Sequence, residues 1–309
     1  MSQVTVLLAT YNGSKYVRQM IDSVLAQDHR DFRLVLSDDG SRDETVSILE
    51  EYAGQHPDRV IHYRSGLRFG NAQGHFMHLL EEFHDTPYIM FCDQDDFWHP
   101  DKISKTLAKM QQVEHSDTPA LVHTDLRVVD GALNLMDASF MHFSKLRGDR
   151  LKLNQLLVQN VVTGCTMMIN NALAELACSH LPENKILMHD WWLALIASAM
   201  GTAAYLNEAT IDYRQHGSNV VGAKNTRSVS YILGKLKNEG VKTAMAQTYA
   251  QAKVFAACFG PLLDAESRQL VEIYAAGADK NAFARRICFL KYGFLKYGLQ
   301  RIAAQLFWG

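Results

Sequence analysis

Residues 88–102 read YIMFCDQDDFWHPDK. A mostly apolar run, Tyr88 to Cys92, is followed at once by Asp93, Gln94, Asp95 and Asp96, and the stretch closes on Trp98, His99 and Pro100. A short continuous apolar run bounded by polar residues suits a strand buried on both faces, and Pro100 suits the first turn of a following helix. In open α/β sheets ligands bind outside the carboxyl ends of the strands, so these acids fall where a buried strand meets the ligand crevice.

The same unit recurs on the N-terminal side. VTVLLA (Val4 to Ala9) leads to a helix over Ser14 to Gln27, RLVLSDDG to a helix in DETVSILEEYAGQ, and VIHYRS to a helix from about Gly74 to Phe83. With YIMFC and a helix from about Pro100 to Val113, four strand-helix units in succession predict a parallel, doubly wound sheet with right-handed crossovers. Polar clusters end three of these strands: Thr10-Tyr11-Asn12, Asp38-Asp39, and Asp93 to Asp96. On the C-terminal side the rhythm changes. ALVHTDLRVVD reads as a strand, MDASFMHFSKLRGDR as a loop or lid, VVTGCTMMIN as a strand followed by a short helix, MHDWWLALIASAM as a helix and AAYLNEATIDYRQH as a terminal strand. From about Asn225 the chain reads as mostly helical.

Composition sets bounds on this picture. At 309 residues, 48% of them hydrophobic, the chain can fill a large core. A formal charge of −2 gives no global basic field for nucleic acid. The five cysteines are scattered without C-x-x-C spacing and read as reduced residues rather than a disulfide or zinc framework. VTVLLA is too short for a cleaved leader, and no segment approaches the ~20 apolar residues that span a bilayer. The expectation is a protein neither exported by a leader nor transmembrane.

Carboxylates spaced as Asp93 and Asp95 can set oxygens around a hard divalent cation, and Mg²⁺ or Mn²⁺ typically takes one or two protein carboxylates plus substrate phosphate oxygens. Alone, such acids read equally as solvated loop residues or a helix N-cap. With Asp38-Asp39 ending a second strand, however, several acids converge on one crevice, where they would repel one another without a cation.

These residues carry a resemblance. V-x-x-L-x-A-T-Y-N-G from Val4, L-S-D-D-G-S-x-D-x-T from Leu36 and F-C-D-Q-D-D-x-W from Phe91 resemble the inverting family 2 glycosyltransferases of GT-A fold, in particular their bacterial rhamnosyltransferase-like branch. The likeness continues through T-G-C-T (Thr163 to Thr166), H-D-W-W (His189 to Trp192) and Y-R-Q-H-G-S-N-V-V-G (Tyr213 to Gly222), covering about the first 225 residues. The resemblance implies a GT-A catalytic domain over 1–224 and a helical C-terminal segment over 225–309. It implies a nucleotide pocket lined by Thr10, Tyr11 and Asn12, with Asp39 on the base or ribose. Asp93 and Asp95 match the D-x-D pair, Asp95 as direct metal ligand and Asp93 nearer the ribose or a metal-bound water; the metal is Mn²⁺ or Mg²⁺. His216 matches a histidine that approaches the metal or diphosphate, though it reads equally as a surface loop residue. Asp190 resembles the general base for the acceptor hydroxyl, and the flanking Trp191 and Trp192 would desolvate it and raise its pKa. Thr163, Gly164 and Cys165 would form part of the acceptor or sugar wall, with Cys165 a small packed residue rather than a reactive thiol. Asn71 either touches the base or serves its turn.

The implied reaction moves a sugar, best matched by L-rhamnose from dTDP-L-rhamnose, onto a hydroxyl of a growing lipid-linked cell-surface glycan such as O-antigen or capsule. UDP-hexose or UDP-galactofuranose donors use the same scaffold. Beyond Asp279 no acid remains, while Lys280, Arg285, Arg286, Lys291, Lys296 and Arg301 alternate with aromatic and aliphatic residues. Such a segment either lies on an anionic membrane or packs on the catalytic domain with a solvated basic face. The first option implies a peripheral protein at the cytoplasmic face of the cell membrane. Two competitors remain, a metal phosphohydrolase and a non-catalytic nucleotide-sugar-binding module. A dinucleotide-binding dehydrogenase is rejected, because T-Y-N-G-S stands where G-x-G-x-x-G is required.

Overall fold

Apolar continuity makes the first strands. In the computed structural model, which describes residues 3–115, 117–182, 186–215 and 238–308, β1 (Val4–Thr10), β2 (Phe32–Asp38), β3 (Val60–Tyr63) and β4 (Tyr88–Asp93) pair in parallel. Alternate side chains of each strand enter different cores: Leu7, Val35 and Phe91 join one, Val6, Leu36 and Cys92 the other, all fully buried. That two-sided burial is why the strands read as unbroken apolar runs. The helices α1 (Val17–Leu25) and α2 (Thr45–Gln55) cover one face, and α3 (Ala72–Glu82) covers the other.

Beyond β4 the chain continues through β5 (Phe97–Trp98), α4 (Lys102–Val113), β6 (Ala120–Val129), β7 (Leu135–Asp137), α5 (Phe140–Phe143), α6 (Leu153–Leu156), a 3-10 turn at Gly164–Thr166, β8 (Met167–Asn170), α7 (Asn171–Ser179), α8 (His189–Met200) and β9 (Thr202–Arg214). The sheet order is β3-β2-β1-β4-β8-β6-β9-β5, with β7 on the side of β6. The parallel arrangement expected of the first four strands is present, and the strands that follow leave the sheet mostly parallel but mixed. β8 runs antiparallel to both β4 and β6, so the sheet is mixed. β8 enters after residues 130–166, which carry only a short strand and single-turn helices, so its direction is not set by one long crossover helix as in the first four units. The stretch read as a loop or lid contains β7 and the single turn of α5.

Register then places the polar clusters. Thr10 pairs with Asp38 and Ala9 with Asp93, so the carboxyl ends of β1, β2 and β4 finish level. The helices α9 (Asn238–Phe259), α10 (Ala265–Ala275), α11 (Ala282–Tyr292) and α12 (Leu299–Trp308) pack on one another, with α10 against α6 and α9 against Trp192 of α8. Phe255 and Phe259 of α9 meet the Trp192 ring at 5.4 and 5.8 Å, and Phe289 and Phe294 join the same core cluster. The outer side keeps Phe283, Ile287, Leu290, Leu299 and Phe307 exposed. Among the described residues no helix is long and apolar enough to cross a membrane.

Candidate active site

The level strand ends open onto a cleft of about 1090 Å³. One rim is two interlocked loops at the ends of β1 and β2. Asp38 accepts from the amides of Gly40 and Ser41 at 2.9 and 2.7 Å and from the Thr10 hydroxyl at 2.9 Å, tying β2 to β1. Asn12 stands at φ 48°, a left-handed position that asparagine tolerates, and its side-chain oxygen accepts from the Arg42 amide at 2.9 Å. Asp43 is held down at about 2: burial opposes its ionisation, but the hydroxyl and amide of Thr45 and donors of Ser14 outweigh it. Asp39 lends both oxygens to the loop before α3, accepting from the amides of Phe69 and Gly70. Asn71 caps α3, accepting from the Gly74 amide at 2.7 Å, while still lining the cleft.

Gln94 stitches the acidic loop to this rim. Its amide accepts from the Tyr11 N–H at 2.8 Å and donates to the Tyr11 carbonyl at 3.0 Å. Gly13 makes room, since a Cβ there would fall 2.2 Å from the Gln94 Oε1. Of the four residues that follow the apolar run, Asp93, Gln94 and Asp95 line the cleft and Asp96 does not. Asp96 is fully buried, its Oδ1 accepting from the Arg214 amide at 3.2 Å, and Arg214 also donates to the Asp95 carbonyl at 2.8 Å. One carboxylate oxygen each of Asp93 and Asp96 and the Cys165 Sγ lie within 4.8 Å of one another. Burial, then the charge of Asp95, then that of Asp190, pushes the Asp93 carboxyl above the usual range. A cation that also met a substrate phosphate would have to face the cleft, which favours the Asp93 and Asp95 side over the buried Asp96 and Cys165 side. The donor set is all oxygen there and suits a hard divalent ion.

Across the cleft stands Asp190, in the first turn of α8 and only 7% exposed. Burial is the largest influence and raises its pKa to about 7. Amides of Trp191 (2.5 Å) and Gly164 (3.1 Å) and the Asn160 side chain (3.1 Å) donate to its oxygens, which orients the group and restrains the rise. Asn160 is itself fixed by donating to the Val162 carbonyl and accepting from the Val162 amide.

Residues 5–176 match the family model described as Glycosyl transferase family 2. The chain belongs to that family. This glycosyltransferase is 28% identical over 246 residues to the dTDP-rhamnosyl transferase RfbG of Shigella flexneri, covering 75% of this chain and 80% of the relative. It is also 28% identical over 224 residues to the uncharacterized protein Rv1520 of Mycobacterium tuberculosis, where the match spans 70% of this chain but 60% of that protein. Among solved structures it resembles S. aureus TarS 1-349 in complex with UDP-GlcNAc, with a TM-score of 0.55 at 14% identity over 98% of this chain and 89% of that one. The mannosyltransferase PcManGT of Pyrobaculum calidifontis, in complex with GDP-Man and Mn²⁺, gives 0.54 at 15% identity over 99% and 84%. Both show a shared fold.

The glycosyltransferase cleft gathers Thr10, Tyr11, Asn12, Asp39, Asn71, Asp93, Asp95, Thr163, Gly164, Asp190 and Trp191 from the residues singled out in the sequence. Cys165 and Trp192 lie apart from it. Cys165 is buried behind the acids, and Trp192 is fully buried against Phe255 and Phe259, so the desolvation of Asp190 expected from both tryptophans falls to Trp191 alone on that side. Trp191 lines the cleft with its indole N–H fixed on the Leu156 carbonyl at 2.6 Å. His216 lies outside the described residues. Sequence reasoning missed Gln94, Asn160 and Gly13, whose roles are hydrogen bonding and clearance. It also passed over Arg68 and Lys15, basic cleft residues outside any quoted motif.

Proposed function

We propose that this enzyme transfers L-rhamnose from dTDP-L-rhamnose onto a hydroxyl of a growing, lipid-linked cell-surface glycan, with inversion at the anomeric carbon. The observation that carries the reading is the meeting, in one cleft, of an oriented carboxylate raised to about 7 with the acid pair at the end of β4. The likeness to RfbG supports the rhamnosyl donor.

In this mechanism Thr10, Tyr11, Asn12, Asp39 and Asn71 hold the nucleotide. Asp93 and Asp95 would hold Mn²⁺ or Mg²⁺, joined by His216, and the ion supplies neutralisation of charge on the departing diphosphate. Asp190 receives the proton of the acceptor hydroxyl, whose oxygen bonds the anomeric carbon as the bond to the diphosphate breaks. Because Asn160 and the Gly164 amide fix its oxygens, Asp190 waits in one orientation. Thr163, Gly164 and Trp191 wall the sugar and acceptor. Residues 1–224 form the catalytic unit, and the basic segment within 225–309 rests on anionic lipid at the cytoplasmic face of the cell membrane.

Thermal unfolding with dTDP, UDP or GDP, each with and without Mn²⁺ or Mg²⁺, tests the donor, since a ligand bound only by the folded state raises Tm. A metal-dependent rise largest with dTDP is expected. A UDP preference moves the donor to a UDP-hexose or UDP-galactofuranose, and no response to any nucleotide overturns the reading.

A further inference from the structure

His189 stands immediately before Asp190 and is 3% exposed, yet neither ring nitrogen has a protein hydrogen-bond partner. The ring lies among aromatic neighbours, with centroids 4.6 Å from Phe76 and 5.3 Å from Phe91. Burial pushes its pKa down to about 3, so the imidazole is neutral at any working pH, with one N–H donor and one acceptor nitrogen. Phenylalanine would fill this aromatic box without leaving buried polar atoms unpaired, and unpaired buried groups in folded proteins call for a specific explanation.

Position supplies one. Phe91 precedes Asp93 by two residues on β4, so both side chains leave the same face of the sheet. His189, packed on Phe91 and adjoining Asp190, lines the same cleft as the acid pair and the buried base. Gly164 presents bare backbone to it: a Cβ there would lie 2.7 Å from Nε2 and 3.8 Å from the Asp190 Cβ. The Gly164 backbone lies against that nitrogen, and any side chain at 164 would collide with the ring.

Building on the transferase reading above, we propose that His189 is a specificity-determining residue, hydrogen-bonding through the ring nitrogen beside Gly164 to a hydroxyl of the sugar being transferred. The sugar must lie between the diphosphate and the acceptor, in the cleft that His189 lines. The bound hydroxyl pairs the nitrogen that the protein leaves unpaired, and a ring lacking the matching hydroxyl leaves it buried and unpaired.

The test compares wild type with His189→Phe, using dTDP and dTDP-L-rhamnose in the presence of Mn²⁺, or UDP and UDP-glucose should the nucleotide screen favour UDP. Expected for His189→Phe are a ligand-free Tm at or above that of wild type and an unchanged Tm rise with the nucleoside diphosphate. The extra rise given by the nucleotide sugar should disappear, and kcat/KM should fall by roughly tenfold or more. A variant that keeps the sugar-dependent rise and wild-type kcat/KM overturns the proposal. So does equal loss of the nucleoside diphosphate response, which marks a structural role. Should the variant fail to fold, ¹⁵N NMR of the histidine rings in wild type decides. The His189 resonances must move with the nucleotide sugar and stay still with the nucleoside diphosphate, and stationary resonances with both overturn it. Wild-type protein that answers to no nucleotide removes the transferase reading and this one with it.

Discussion

Asp190, the proposed base, carries a stability cost above neutral pH. Its folded-state pKa of about 7 lies well above the 3.8 of an ordinary aspartate, with burial as the leading cause. The sign follows from proton binding. Between about pH 4 and 7 the folded chain keeps a proton that the unfolded chain has released, so this residue's contribution to stability is fully present below the unfolded value and is lost as pH rises through 7. Asp190→Asn removes the titration. Its Tm should exceed that of wild type at pH 8 and converge on it near pH 4, as a pair of melting curves across pH would show. Transfer should fall by about a thousandfold or more, as for loss of a general base, while the nucleotide-induced Tm rise persists. Wild-type kcat/KM should climb with pH and level off above about 7, and a flat profile would mean that another group takes the proton. At this scale the acids that line the cleft were legible in the sequence because they cluster at strand ends, whereas Arg68 and Lys15, isolated basic residues, were not. Gln94 and Asn160 were not, because an amide's role depends on which backbone it meets. Trp191 and Trp192 show a third limit: nothing in the sequence says which of two adjacent tryptophans lines the cleft and which enters the core.

At the scale of elements, apolar runs were legible even when short. The strands β1, β2 and β4 announced themselves by length and apolarity, and the four residues each of β3 and β8 were read within longer stretches, whereas the two residues of β5 are too short to stand out. The antiparallel entry of β8 was hidden because strand direction depends on the connection. The junction of α8 and β9 shows what such connections demand. A Cβ on Gly201 would fall 1.9 Å from the Pro119 carbonyl oxygen, a rigid backbone atom. Gly201→Ala should therefore cost about 2 kcal/mol or more, measurable as a lower denaturant midpoint with an unchanged slope. The outward face of α11 supports a different prediction. Phe283, Ile287 and Leu290 are exposed and recur at helical spacing on a segment without acids after Asp279. Replacing all three with serine should leave Tm within a few degrees, since none is buried. It should also abolish co-sedimentation with phosphatidylglycerol vesicles, to which basic residues near the surface contribute about 1 kcal/mol each. Equal sedimentation of both proteins would argue that this face does not meet lipid.

At the scale of the whole molecule, the sequence reading divided the chain near residue 225, and the packing joins the parts. Phe255 and Phe259 of α9 sit on Trp192, and the core cluster that holds them also contains Leu7 and Phe91 of the central strands. A change of composition was legible at that point, but composition does not show which face of a helix is covered. The basic residues do not mark one side either: Lys291 is exposed, whereas Arg286 donates to the Leu306 carbonyl and Arg301 to the Ser144 carbonyl, and Phe289 and Phe294 on the inner side look the same in sequence as their exposed neighbours. Trp192 lies two positions after Asp190 on α8, so the C-terminal helices support the element that presents the candidate base. Phe255→Ala should accordingly do two things. It should cost about 3–5 kcal/mol through lost burial and the cavity left behind. It should also lower kcat through α8 while sparing nucleotide binding, because the rim that includes Thr10, Asn12 and Asp39 is built on β1 and β2. Calorimetry of wild type should show one cooperative transition. Two separated transitions, with the lower one alone shifted by Phe255→Ala, would mean that the helical layer melts independently and that α8 keeps Asp190 in place without it.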